Sequence, residues 1–108
     1  MDQERLWVIL LNTRNEVPST HEIYVGNVNS AVVRPAEIFR PAVRNNAASL
    51  IVVYNHPSGN PAPSDDDIAI TNDLVASGKV LDIEVLDHLI VGSGHRYVTM
   101  NENGQGFA

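Results

Sequence analysis

Cysteine is absent from this chain, which removes both a disulfide framework and any thiolate metal site. A reducing, cytoplasmic setting is the natural expectation. Positive charge is scarce: seven Lys and Arg stand against thirteen Asp and Glu, a net charge of −6. Such a balance repels a polyphosphate and argues against nucleic acid as a partner of this domain alone. Aromatic residues are few, and the nearest thing to a basic cluster, Arg34, Arg40 and Arg44, carries no stacking platform for bases. Arg40 and Arg44 around Glu37 read instead as one solvated helical face. Long apolar runs are lacking too. Each breaks within about ten positions, short of the eighteen or so residues that would cross a bilayer. Met1-Asp2-Gln3-Glu4 is acidic where a secretory leader is basic, so no leader is expected.

What is present describes an ordinary folded domain. The 108 residues suffice for one core and not for two, so a single domain over residues 1–108 is expected. Leu6-Trp7-Val8-Ile9-Leu10-Leu11 is a continuous apolar run that stops at Asn12-Thr13-Arg14-Asn15, the pattern of a strand buried on both faces and ended by a turn. A second strand is expected from His21 to Val28, passing through Gly26. Between Pro35 and Asn46, Ile38, Phe39, Ala42 and Val43 recur at helical spacing, with a kink or restart expected at Pro41. Leu50-Ile51-Val52-Val53-Tyr54 is β-branched and uninterrupted, the pattern of a central strand.

A helix should follow from Ser64 to about Ser77, with Ile68, Ile70, Leu74 and Val75 buried and Gly78 as its stop. Two further strands, Ile83 to Val91 and Tyr97 to Met100, are expected to pair as a hairpin through Gly92-Ser93-Gly94. The polar, glycine-rich stretch from Asn101 to Gly106 reads as loosely held. The order β-β-α-β-α-β-β predicts an α/β domain, a mixed sheet covered by helices.

The segment YNHPSGNPAPSDDD, residues 54–67, joins the central strand to the second helix. Strand alternation sends Tyr54 and His56 to one side and Asn55 to the other. The Pro- and Gly-rich turn that follows can return the helix start over that strand end, which is where ligands bind on open α/β sheets. Ser64, with Asp65, Asp66 and Asp67 in the first turn, is also what helix capping alone requires. A lone loop histidine is commonly structural. The joint spacing carries more information: His56, seven residues, Ser64, two residues, Asp67 matches the later part of the JAMM signature, His-x-His-x7-Ser-x2-Asp.

The likeness extends further. NHPSGNPAPSDDD, the preceding SLIVVY, the following LDIEVLDHLIVG and the earlier EIYVGNVNSAVVRPAEIFR together resemble the RadC-like branch of the JAB/MPN family, over nearly the whole chain. That resemblance implies a cytidine-deaminase-like mixed β-sheet flanked by α-helices. It also implies a zinc hydrolase acting on peptide or isopeptide bonds, with two histidines, an aspartate and a water on the metal. Carried over by position, His56 and Asp67 match metal ligands, Ser64 the oxyanion's hydrogen-bond donor, and Glu22 the glutamate that takes a proton from metal-bound water.

Tyr54 stands where the family has its first ligand histidine. A phenol must lose its proton to ligate well, whereas a neutral imidazole needs no such step. Arg34-Pro35-Ala36-Glu37 likewise departs from the His-Pro-Arg-Glu usual in RadC-like chains. His88 belongs to the family pattern without being a ligand, and His21 and His95 read as surface or structural. Two functions are therefore implied: a zinc metallopeptidase with a weakened or lost site, or a catalytically inactive domain that binds a protein or peptide. RadC-like chains have a historical association with DNA repair, and full-length relatives carry a helix-hairpin-helix region that has no counterpart in this sequence.

Overall fold

The computed structural model describes residues 3–12, 18–26, 28–94, 96–101, 104 and 106–107. Five strands and two helices follow in the order β1 (Arg5–Leu11), β2 (Ser19–Val25), α1 (Pro35–Arg44), β3 (Ser49–Asn55), α2 (Asp65–Leu81), β4 (Glu84–Val91) and β5 (Tyr97–Thr99). The strands form one sheet ordered β2-β1-β3-β4-β5. Only β3 and β4 run parallel, with α2 as their crossover; the other neighbours are antiparallel, including the β4–β5 hairpin. The α/β class, the mixed sheet and the central place of β3 are as the sequence predicts.

Both helices lie on one face of the sheet, here called the inner face. Ile38, Phe39 and Ala42 of α1 and Ile70 and Leu74 of α2 join Leu6, Val8, Leu10, Leu50, Val52 and Ile90 in one buried cluster. Burial along β1 and β3 alternates, so Trp7, Ile9, Ile51 and Val53 on the outer face are only half-buried. The expectation that β1 is buried on both faces is thus corrected: its apolar run exceeds what the helices cover.

Several boundaries shift for local reasons. β2 ends before Gly26, whose φ of +105° takes the chain out of extended geometry. Helix α1 continues through Pro41 without restarting, because the missing N–H costs one bond while Ile38, Phe39 and Ala42 hold the helix to the core. Gly78 does not stop α2. The helix runs on to Leu81 and is closed by Asp82 in left-handed geometry, whose N–H donates to the Gly78 carbonyl. Gly78 instead permits a close approach: an added Cβ would lie 2.3 Å from the carbonyl oxygen of Ile83.

At the C-terminus the expected loose stretch is partly held, since the Asn101 side chain donates to the Leu86 carbonyl at 2.8 Å and Phe107 packs against the core. The turn expected at residues 13–15, His95, and residues 102, 103 and 105 lie outside the described residues.

Candidate functional site

The chain leaves β3 at Asn55, and the backbone N–H of His56 donates to the carbonyl of Val91, so β4 still guides it. The next turn is then pinned from below. Gly59, at φ +87°, accepts from the Ser93 N–H and from Arg96 Nη2, at 2.9 and 2.6 Å. A side chain at Gly59 would meet Ser93 Oγ. The loop returns to Ser64, which caps α2 through a reciprocal box: Ser64 Oγ accepts from the Asp67 N–H at 3.1 Å, and Asp67 Oδ2 accepts from the Ser64 N–H at 2.8 Å. Local capping and site assembly are here the same set of bonds.

These constraints bring His56 to Asp67. Each nitrogen of the half-buried imidazole faces an acceptor, Nδ1 the Asn60 carbonyl at 2.9 Å and Nε2 the Asp67 Oδ2 at 3.0 Å. Asp67 is buried although its position opens a helix. The three positions that the spacing singled out, 56, 64 and 67, therefore converge. Asn55 turns the other way as expected, its side chain accepting from the Arg5 N–H and donating to the Gln3 carbonyl.

Tyr54 lies on the inner face behind this pair, 2 % exposed. Burial above all, then the charges of Asp67, Asp66 and Glu4, pushes its pKa far above the usual phenol value, so it stays protonated. Its hydroxyl has no hydrogen-bond partner among the described residues. Its ring meets His88 edge-on, with centroids 4.2 Å apart. His88 is buried on β4, the neighbour of β3, and its Nδ1 is hydrogen-bonded to Thr71 Oγ1, which also lies 2.9 Å from the Asp67 carbonyl oxygen. Its Nε2 has no hydrogen-bond partner among the described residues. Burial lowers the His88 pKa to about 3, helped by nearby His56, so the ring is neutral.

Glu22 does not join the site. It is exposed on the edge strand, opposite Trp7 in the register, and accepts from Arg5 at 2.7 Å. Arg5 and Trp7 alternate with Leu6 and Val8, so Glu22 stands on the outer face, whereas Tyr54 pairs with Leu6 on the inner one. The structure thus does not bring Glu22, the expected proton acceptor, to His56 and Asp67. Glu4, just before β1, is the glutamate whose charge acts on the Tyr54 phenol.

A second acidic residue on this face, Glu37, is engaged elsewhere, accepting from the Tyr24 hydroxyl, which in turn accepts from the Arg34 N–H. His21 sits beside Ser19 Oγ at 3.1 Å, away from the pair.

His56 and Asp67 lie close enough together to share one cation with ordinary metal–ligand bonds of roughly 2.0–2.2 Å. A third donor is missing. Tyr54 is a protonated phenol, and among the described residues no three His, Cys, Asp or Glu side chains gather to hold a metal ion. The donor set does not fit a tightly bound catalytic zinc.

Comparison with known proteins agrees with the sequence resemblance. A family described as "RadC-like JAB domain" matches residues 1–105. A "UPF0758 protein" of Chloroflexus aurantiacus is 56% identical over 107 residues, covering 99% of this chain and 46% of the relative. Proteins of the same name are 50% identical in Roseiflexus castenholzii and 46% identical in Bacillus cereus, over 99% and 96% of this chain and again 46% of each relative. The chain thus spans about half the length of the curated relatives it matches.

Proposed function

The chain belongs to the RadC-like JAB domain family, and from that premise we propose that its site has given up tight zinc binding and serves to recognise a protein or peptide without cleaving it. The observation that carries this reading is Tyr54. A buried, protonated phenol occupies the position of a ligand, and desolvation opposes the phenolate that a metal would need. The two ligand-type side chains that remain are already satisfied by each other and by the cap of α2. His88 offers no substitute, because among the described residues it does not gather with His56 and Asp67 into a group that could hold a metal ion.

The charge around the site favours a polypeptide ligand over a polyanion. The charges of Asp67, Asp66 and Glu4 act on Tyr54 at the strand end, and the whole chain is at −6. Nucleic acid and phosphate-rich ligands are repelled there. The metallopeptidase reading rests on the retained His56–Asp67 pair and on Glu4, and it makes the opposite prediction for metal affinity.

Zinc titration against a competing chelator separates the two. Tyr54→His restores a second imidazole, and with it a third ligand, and is expected to bind zinc about a hundredfold more tightly than the natural sequence, a difference of about 2.7 kcal/mol. Equal affinities, or one zinc per chain retained by the natural protein through dialysis against chelator, would overturn the proposal.

A further inference from the structure

The turn that carries His56 is closed from another part of the chain. Within it, the Gly59 N–H donates to the His56 carbonyl and His56 Nδ1 faces the Asn60 carbonyl, both at 2.9 Å. The ring is therefore oriented by the peptide that joins Gly59 to Asn60. Pro57, Pro61 and Pro63 supply no N–H, so the loop has few donors with which to hold itself. Among the described residues, the hydrogen bonds that reach from residues 57–63 into the β4–β5 hairpin all converge on the Gly59 carbonyl. It accepts from the Ser93 N–H at 2.9 Å and from Arg96 Nη2 at 2.6 Å, and the same Nη2 donates to Ser93 Oγ at 2.9 Å. Gly59 is buried, which strengthens these bonds. Gly92 lies against it, where a Cβ would collide with the Gly59 oxygen and the Pro61 ring.

We propose that Arg96 is a positioning residue for His56: by holding the Gly59 carbonyl it sets the Asn60 carbonyl that orients the imidazole toward Asp67, and so couples the β4–β5 hairpin to the site. The use of the guanidinium supports this. Arg96 is one of seven basic residues among thirteen acidic ones, yet among the described residues it forms no ion pair and is directed at the Gly59 carbonyl and at Ser93. A cation placed for surface charge alone would meet a carboxylate. The proposal rests on the reading of His56 and Asp67 as the site, and it holds for any ligand of that pair.

The test compares the natural chain with Arg96→Ala and Arg96→Lys, without metal or ligand. Both short bonds leave one nitrogen, so a lysine ammonium can replace them and alanine cannot. In Arg96→Ala, amide exchange at Gly59 and Ser93 is expected to quicken about tenfold or more, and the His56 ring to lose order in carbon-13 relaxation. The amides of Val52 and Ile70 and the ring of His88 should stay as in the parent, and Arg96→Lys should restore the parent values. In the Tyr54→His background, zinc affinity is expected to fall about tenfold with Arg96→Ala and to recover with Arg96→Lys. An unmoved His56 ring, exchange that quickens equally in the core, zinc affinity indifferent to Arg96→Ala, or lysine behaving as alanine would each overturn the proposal. If Tyr54→His itself gains no affinity for zinc, the proposed function fails, while the His56 ring and the exchange rates still decide the role of Arg96.

Discussion

The ring of Tyr54 stands edge-on against the imidazole of His88, with centroids 4.2 Å apart and planes at 80°, and each ring keeps one buried polar atom, Tyr54 Oη and His88 Nε2, without a hydrogen-bond partner among the described residues. Two polar atoms are buried there without a partner. In a well-packed interior such atoms are uncommon and costly.

The first prediction concerns that hydroxyl. Because Tyr54 Oη is buried and unpaired, Tyr54→Phe removes a desolvation penalty while keeping the ring's packing on His88. The variant is expected to be as stable as the parent or more stable by about 1 kcal/mol in urea unfolding. A loss of stability would show that the hydroxyl is satisfied in solution.

His88 supplies a pH dependence. Below 6.5 the unfolded chain's imidazole takes up a proton, while the folded one, lowered to about 3, stays neutral. Unfolding then binds a proton, so stability is fully present above pH 6.5 and is lost as the pH falls from 6.5 toward 3. The slope from this residue reaches up to about 1.4 kcal/mol per pH unit. His88→Leu should flatten the acid limb by that amount, as read from urea midpoints at successive pH values. Parallel curves for the two proteins would refute the assignment.

Much of this was legible in the sequence, and the parts that were not share a cause. The apolar run of β3 and the Ser64–Asp67 cap are local patterns, and His56 is tied to them by a short, stiff loop, so spacing alone placed all three. Glu22 and Glu4 differ only in which face of the sheet each occupies. That depends on the pairing of β1 with both β2 and β3, and on the register shift between Leu6 and Trp7, which sequence spacing does not contain. Gly78 was misread similarly: a glycine near a helix end suggests a stop, yet here its reason is the Ile83 carbonyl pressed against it from beyond the helix.

Gly78→Ala tests that distinction. In an exposed helix the change would gain about 1 kcal/mol of propensity. Here the new Cβ would stand 2.3 Å from a backbone oxygen and 3.4 Å from Phe39, so backbone must move. A net destabilisation of about 1–3 kcal/mol is expected, measured by chemical denaturation. A stabilised variant would return Gly78 to the role of helix terminator.

The last prediction separates the two glutamates. A carboxylate that takes a proton from water beside His56 and Asp67 must stand on the inner face, where the charge of Glu4 acts on Tyr54. Glu22 lies across the sheet in an exposed ion pair with Arg5, worth about 0–1 kcal/mol. In the Tyr54→His protein supplied with zinc, any peptide or isopeptide hydrolysis is expected to fall by about a hundredfold or more with Glu4→Gln and to be unchanged with Glu22→Gln. Hydrolysis lost with Glu22→Gln and kept with Glu4→Gln would overturn the register argument. Zinc affinity, measured on the same three proteins, should be equal, because neither glutamate is a ligand, and that equality ties a loss of turnover to the carboxylate and not to a lost metal.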